Sequence, residues 1–300
     1  MREVNRRNCR VFWNAERCFR QDGDGFQVSE IKLGCYTGPW GSKKLIQAIS
    51  QIGESGFDGM EAPAPVVMQY EDRLHVFEEI LETAGISLAG LIQTLDMLDR
   101  EHADEQVERA ANSARFVSAA GASYLTICHS SLRDAPMNDE EWATFAAIIE
   151  EIGQRCSEFG IQVCFMPRAQ KLVCSEKDIH RLLAMTDPNF VKLSLDTAEI
   201  SLAGGNVQRL VKACLDRIML IRYHDASGSK RRLAYTSDEL GSTPQFGRGA
   251  VKFNAVSKVL LDGGFSGWVM LDVTGEDHDP LEAAVSGFRF LMRKSGLFPV

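Results

Sequence analysis

The chain lacks an excess of positive charge, closely paired cysteines and long apolar runs. Its 33 Lys and Arg stand against 41 Asp and Glu, so the net charge of −8 argues against binding to nucleic acid phosphates. No apolar run approaches the roughly 18 residues of a membrane span. None of the eight cysteines forms a C-x-x-C pair, and several lie in apolar runs, as buried free thiols do in a reducing compartment. We therefore expect a cytoplasmic protein whose partner is a small molecule, with no nucleic acid and no membrane.

The first 30 residues differ from the rest of the chain. Six of the first 20 are Arg, but no apolar segment follows that would suit a signal peptide. We predict a polar N-terminal extension over residues 1–30, an arm through which a homo-oligomer could form, and a single domain over residues 31–300.

From Ile31 onward, short apolar runs alternate with longer segments of helical spacing. The predicted strands are IKLGCY from Ile31, GFDGMEA from Gly56, ISLAGLI from Ile86, ASYLTIC from Ala122, IQVCFM from Ile161, FVKLSLD from Phe190, RIMLIRY from Arg217 and GWVMLDV from Gly267. The predicted helices span 42–54, 72–84, 103–120, 139–159, 175–185, 206–215, 253–263 and 280–293. Eight such units predict an α/β fold, a (β/α)₈ TIM barrel. The competing doubly wound sheet is disfavoured because no G-x-G-x-x-G turn follows the first strand.

In such a barrel the chemistry lies where the strands end. The residues that follow or close the predicted strands are rich in acids, histidines and arginines, which suits proton transfer on an oxygenated small molecule. For catalysis we select Asp196, Asp272, Glu61 and His224. For substrate binding we select Arg168, Arg222, His129 and Glu199. The long segment from Ala226 to Val251 is predicted to form a lid or rim over the barrel mouth.

Three segments resemble the xylose isomerase-like TIM-barrel superfamily of sugar isomerases, epimerases and inosose dehydratases. They are LIQAISQIGESGFDGMEA from Leu45, FVKLSLDTAEISLAGGN from Phe190 and GRGAVKFNAVSKVLLDGGFSGWVMLDV from Gly247. The resemblance implies one divalent metal held by a Glu after strand five, an Asp after strand six, a His on strand seven and a Glu on strand eight. The superfamily's endonuclease branch is disfavoured, because it uses three zinc ions and many His ligands and this chain has six His in all.

The sequence departs from that metal pattern. Met166 and Arg222 stand where a Glu and a His are expected, Asp272 replaces the last Glu, and Asp196 matches its ligand. Arginine cannot ligate a metal, and a thioether is a poor ligand for a hard cation. The cofactor is therefore either none or a divalent metal (Mn, Mg or Co) held by Asp196 and Asp272, in a rebuilt site that could add Glu199 and His224. In the metal-free alternative, Arg222 takes the cation's place between Asp196 and Asp272.

Three functions remain open. The first is an isomerase or epimerase that moves a proton next to the carbonyl of a keto-sugar, cyclitol or other polyol, with a dehydratase (lyase) as second choice. The second is a metal-independent isomerase, cyclase or lyase whose anionic substrate is held by Arg168 and Arg222. The third is a catalytically silent barrel that acts as a binding subunit.

Overall fold

The structure is a computed structural model that describes residues 30–130, 135–169, 171–227, 244–275 and 278–298. The predicted N-terminal extension lies outside the described residues except for Glu30. Most of the predicted lid, residues 228–243, also lies outside them.

Eight parallel strands close into a barrel in chain order, because the first strand pairs with both the second and the last. The strands are β1 (Ile31–Tyr36), β2 (Gly59–Pro63), β3 (Ser87–Leu95), β4 (Tyr124–His129), β5 (Gln162–Phe165), β6 (Val191–Asp196), β7 (Ile218–Tyr223) and β8 (Gly267–Leu271). The predicted (β/α)₈ barrel is confirmed. The largest differences from the predicted strand bounds are at β2, which begins three residues after Gly56, and at β3, which continues three residues beyond Ile92.

Helices follow the strands and surround the barrel. Within the described ranges they are α1 (Leu45–Ser55), α2 (Val66–Tyr70), α3 (Leu74–Ala84), α4 (Ala103–Ala119), α5 (Asp139–Ser157), α6 (Glu176–Met185), α7 (Thr197–Leu202), α8 (Val207–Ala213), α9 (Phe253–Asp262) and α10 (Pro280–Lys294). The sequence pattern did not predict α2 and α7, which have five and six residues. Helices this short do not complete two turns, so they show no apolar periodicity.

The apolar faces of the helices pack on the outside of the barrel. In α1, Ile49 and Ile52 are three residues apart and fully buried, and in α5 Phe145 and Ile149 are four residues apart and fully buried. This spacing places an apolar stripe against the sheet. No helix in the described part of the chain is both long enough and apolar enough to span a membrane.

The two ends of the strands differ in polarity. At their carboxyl ends, buried polar side chains replace the apolar filling, among them Glu61, Asp196, Arg222 and Asp272. Burying a charged group costs free energy, and even a paired one adds little stability. Charged side chains buried at this end of the barrel therefore indicate a functional role.

Candidate active site at the barrel mouth

A buried arginine lies between two carboxylates at the mouth. Arg222 donates from Nη1 to Oδ2 of Asp272 at 3.1 Å and from Nη2 to Oε2 of Glu61. The other oxygen of Glu61 accepts a hydrogen bond from Thr126 Oγ1 at 2.8 Å. The guanidinium carbon lies 4.7 Å from the centroid of the Tyr36 ring. We call Glu61, Arg222 and Asp272 the arginine array.

Charge pairing keeps Arg222 protonated. Only 1% of Arg222 is exposed, and Glu61 is fully buried. Burial disfavours the charge of Arg222, but the charges of Glu61 and Asp272 outweigh it and hold the pKa of the guanidinium above its usual range. Arg222 is therefore a permanent cation, paired on two sides, in a site almost closed to solvent.

A second charged pair adjoins the array. Asp196, which ends β6, lies beside Arg222 in the parallel register. Its Oδ2 lies 3.2 Å from Nδ1 of His224, and its Oδ1 accepts hydrogen bonds from the backbone N–H groups of Ala198 and Glu199 at 2.8 and 3.0 Å. Side chains alternate along an extended chain, so Arg222 and His224 face the same side, as the sequence predicted.

The contacts of His224 indicate an imidazolium. Its Nε2 lies 3.1 Å from the carbonyl oxygen of Thr274, which can only accept a hydrogen bond. Burial lowers the pKa of His224, but the charges of Asp196 and Asp272 and the hydrogen bond to Asp196 outweigh it and raise the pKa to about 10. Both ring nitrogens therefore carry protons near neutral pH.

Arg168 and Glu199 form a separate ion pair at the rim. Nε of Arg168 donates to Oε1 of Glu199 at 3.1 Å, and the backbone N–H of Ala169 donates to Oε2 at 2.8 Å. Burial and the nearby charge of Asp196 raise the pKa of Glu199. Forty per cent of the Arg168 side chain is exposed, whereas Arg222 is enclosed.

His129 lies apart from the arginine array. It closes β4, and its Nδ1 accepts a hydrogen bond from the backbone N–H of Met97 at 3.3 Å. Its ring lies 5.4 Å from that of Phe145, in a largely apolar surrounding. Burial lowers its pKa to about 4, despite the charge of Asp96. His129 is thus a neutral, buried histidine.

A cleft opens beside the arginine array. Its volume is about 540 Å³, which is the size of a small-molecule site. Tyr36, whose ring covers Arg222, lines it together with Gln93 and Arg168. A larger cleft of about 830 Å³ is lined by residues of α9, α10 and the segments that flank them, and it contains none of the charged groups of the mouth.

The metal implied by the resemblance does not fit the donors in this arrangement. One potential ligand atom from each of Asp196, His224 and Asp272 lies within 4.8 Å of the others. However, both nitrogens of His224 are engaged in hydrogen bonds, and Asp272 is paired with the guanidinium of Arg222. A divalent ion bound to these atoms would lie against the guanidinium of Arg222, a cation that cannot ligate it and that already holds Asp272.

The structure brings together five of the residues that the sequence singled out: Glu61, Asp196, Arg222, His224 and Asp272. It places Arg168 and Glu199 at the rim and His129 apart. The predicted bridge of Arg222 between Asp196 and Asp272 needs a correction, because its second carboxylate partner is Glu61. Glu199 likewise does not join the cluster of potential metal ligands, because Arg168 and Ala169 hold its carboxylate.

Sequence reasoning gave no role to several side chains that support the site. Thr126 and Thr274 hold the carboxylates of Glu61 and Asp272 through hydroxyl hydrogen bonds of 2.8 and 2.5 Å. Tyr36, which ends β1, and Gln93, near the end of β3, line the cleft and were not among the selected residues. Arg109, on α4, lines the cleft and was missed. The sequence did contain a sign of Arg109. It precedes Asn112 and Ser113 by three and four residues, which places three polar side chains on one face of the helix.

Fold and site together define a (β/α)₈ barrel with a polar ligand site at its strand ends. Residues 49–294 match the family model described as xylose isomerase-like TIM barrel, and the chain belongs to that family. The suspected resemblance is thereby confirmed.

Curated relatives cover most of this chain at low identity. An inosose dehydratase of Bacillus anthracis is 24% identical over 302 residues, covering 91% of this chain and all of the relative. An inosose dehydratase of Clostridium botulinum (strain Alaska E43 / Type E3) is 22% identical over 272 residues, covering 84% of this chain and 90% of the relative.

Solved structures share the fold. The probable 3-DHS dehydratase AsbF of Bacillus anthracis superposes with a TM-score of 0.74 at 13% identity, covering 88% of this chain and 99% of that one. The 3-keto-D-glucoside 4-epimerase YcjR of E. coli gives a TM-score of 0.71 at 14% identity, covering 87% and 99%. At these identities the likeness concerns the architecture alone.

Proposed function

We propose that the protein is an enzyme that removes a proton next to the carbonyl of a hydroxylated small molecule and then eliminates water. The observation that carries the proposal is the arginine array, a buried cation between two carboxylates at the functional end of the barrel. Elimination is supported by the curated relatives, which are named inosose dehydratases.

The exposed fractions of the two carboxylate side chains suggest their roles in the reaction. Asp272 keeps 8% of its side chain exposed, whereas Glu61 keeps none. We therefore assign the contact with substrate to Asp272, which takes the carbon-bound proton as general base and then returns it to the departing hydroxyl, so that the C–O bond breaks and water leaves. Glu61 acts through Arg222 as a positioning residue, because its carboxylate is fully buried and held between Arg222 and Thr126.

Arg222 supplies electrostatic stabilisation. Removing a proton next to a carbonyl leaves negative charge on the carbonyl oxygen. A fixed cation in a dry site stabilises such charge more than it would in water. His224 and Asp196 form a second charged pair beside the same point, with 8% of the His224 side chain exposed. We propose that these two cations make a metal unnecessary.

Exchange of substrate hydrogen with solvent deuterium tests the proton-transfer step that a dehydratase and an isomerase or epimerase share. The protein is incubated in D₂O with a panel of inososes and keto-sugars, and deuterium beside the carbonyl is followed by NMR. We expect exchange with at least one compound, a loss of about 100-fold or more in Asp272→Asn, and little change in Asp262→Asn. Asp262 is a suitable control because it lies at the end of α9 in an exposed pair with Lys258.

The products separate the predicted reactions. A dehydrated product supports the proposal. Exchange that yields only a stereoisomer or a shifted carbonyl supports instead the isomerase or epimerase predicted from the sequence. No exchange across the panel, with no effect of any compound on the melting temperature, supports the catalytically silent barrel.

A further inference from the structure

The cleft beside the arginine array presents a set of groups that the proposed reaction does not use. It lies at the carboxyl ends of β1, β2 and β3, with α2 and α4 contributing to its walls. Arg109, Asn112 and Ser113 of α4 line it, and their spacing of three and four residues places them on one helix face. The other face of α4 is buried, with Val107, Ala110 and Ala114 against the barrel.

Two arginines bring unsatisfied donors to this cleft. Arg168 uses Nε for Glu199, and its two terminal nitrogens make no hydrogen bond to the described residues. Arg109 makes neither an ion pair nor a hydrogen bond within the described ranges. The planar fork of terminal guanidinium nitrogens matches a carboxylate or a phosphate.

Gln93 provides an independent sign of a ligand. Only 7% of the residue is exposed, and Oε1 accepts no hydrogen bond from the described residues. Buried polar atoms normally have a partner, because an unpaired one loses its hydration without compensation. A hydroxyl group of a ligand in the cleft would supply the missing donor, since Gln93 lines the same cleft.

The cleft brings two guanidinium groups together. Arg109 and Arg168 line it with one lining acid, Glu71, and Glu199, which pairs with Nε of Arg168, is not among the lining residues. The chain as a whole carries a charge of −8, so two arginines at one cleft are a local feature. Arg222 cannot perform the same task, because Glu61 and Asp272 already occupy its guanidinium.

We infer that the cleft binds the anionic end of a hydroxylated substrate, a carboxylate or a phosphate ester, through Arg109 and Arg168, while Gln93 accepts a hydrogen bond from a hydroxyl. The inference rests on the proposed function for its assignment to a substrate. The sequence suggested Arg168 and Arg222 for binding an anionic substrate. The inference retains Arg168 and assigns the second contact to Arg109 instead of Arg222.

Equilibrium binding without turnover tests the inference. Isothermal titration calorimetry is run with D-gluconate, D-glucose 6-phosphate, D-glucose and inorganic phosphate. We expect one of the two anionic polyols to bind at least tenfold more tightly than D-glucose, and preference between them identifies the anionic group. Arg109→Gln and Arg168→Gln should each weaken that binding about tenfold or more, which corresponds to the loss of one charge-assisted contact.

The control is Arg289→Gln. Arg289 lies on the exposed surface of α10, away from the cleft, and like Arg109 it makes no ion pair or hydrogen bond within the described part of the chain. Arg289→Gln should change the dissociation constant of the anionic polyol less than twofold. Arg168→Gln leaves Glu199 without its cation and lowers stability. Arg109 is exposed and has no partner among the residues that the structure describes, so Arg109→Gln decides the question on its own.

Gln93→Met tests the hydroxyl contact. It should weaken the anionic polyol severalfold and leave inorganic phosphate unchanged, because phosphate alone offers no polyol hydroxyl. The inference is overturned if neither anionic polyol binds, if D-glucose binds equally well, or if Arg109→Gln binds like the wild type. Turnover of neutral polyols together with any of these results would leave the proposed function standing and reject the anionic subsite alone.

Discussion

Nη1 of Arg222 lies 3.1 Å from Oδ2 of Asp272, and the same guanidinium pairs with Glu61 across the barrel. Glu61 lies on β2, Arg222 on β7 and Asp272 directly after β8, and all three are buried, so the carboxylates, Glu61 above all, recover little hydration if the cation is lost. Arg222 is therefore needed both for the electrostatics of the mouth and for the stability of the barrel.

Replacing Arg222 by Leu should destabilise the protein strongly. The change leaves Glu61 and Asp272 buried without a counter-charge, and breaking a buried pair costs about 3–5 kcal/mol. Urea denaturation at pH 7 measures the free energy of unfolding. The double variant Arg222→Leu with Glu61→Leu should recover part of the loss, because it removes one uncompensated charge. A cost under about 1 kcal/mol for Arg222→Leu would contradict the arrangement.

Chelation should leave the protein unchanged if the two cations replace a metal. We expect no stoichiometric Mn, Mg or Co in protein purified without chelator, measured by inductively coupled plasma mass spectrometry. The melting temperature should not change with EDTA, and neither should any activity found.

The variant Arg222→His provides the matched comparison for that experiment. It removes the guanidinium and introduces an imidazole beside Asp196 and Asp272, as the family pattern implies. We expect this variant to bind Mn²⁺ more tightly than the wild type in a calorimetric titration. A stoichiometric divalent ion in the wild type that requires Asp196 would refute the metal-free proposal.

The fold could be predicted because each strand and long helix carries its own local pattern. FVKLSLD is one apolar run between a turn and an acid, and the observed β6 covers six of its seven residues. The short helix α7 could not be predicted in this way. It begins after Asp196, whose side chain accepts the backbone N–H groups of Ala198 and Glu199, so the candidate catalytic acid also starts the helix.

The ion pairs within the site were harder to predict from the sequence than the fold. Alternation along β7 placed Arg222 and His224 on the same side, and the barrel topology placed both near Asp196 and Asp272. The sequence could not give the direction of a long side chain. Arg222 reaches Glu61, 161 positions earlier in the chain, because the barrel interior brings β2 and β7 within one side-chain length.

Stability should fall in acid partly because of His129. Burial lowers its pKa to about 4, whereas an unfolded histidine titrates near 6.5. Between these values the unfolded state binds the proton and the folded state does not, so the free energy of unfolding decreases as the pH is lowered from about 6.5 to about 4. Above about pH 6.5 the residue contributes no pH dependence.

The variant His129→Gln isolates this contribution. Glutamine stays neutral and retains an acceptor for the backbone N–H of Met97. Urea denaturation is compared at pH 7.5 and pH 4.5 for both proteins, which share all other acids. The variant should lose less stability than the wild type over this interval. Equal losses would show that His129 is not held neutral by the fold.

Asp225 holds the segment just before α9, and its position leaves no room for a side chain at Gly249. Oδ2 of Asp225 accepts hydrogen bonds from the backbone N–H groups of Gly247 and Gly249 at 2.9 and 2.7 Å. A Cβ atom at residue 249 would lie 2.2 Å from Oδ1 of Asp225 and 2.5 Å from the carbonyl oxygen of Ala226. The carbonyl belongs to the backbone and cannot rotate away, so the loop itself would have to move.

We expect Gly249→Ala to lower the free energy of unfolding by about 1–3 kcal/mol, the usual cost of overpacking. The neighbouring change Ala250→Ser is the control, because Ala250 is exposed and surface substitutions stay within about 0.5 kcal/mol. Urea denaturation compares the two variants. Because Asp225 directly follows His224, the displaced loop should also loosen the mouth and reduce deuterium exchange more than Ala250→Ser does. Equal stability and equal exchange in the two variants would show that Asp225 does not hold this loop against the site.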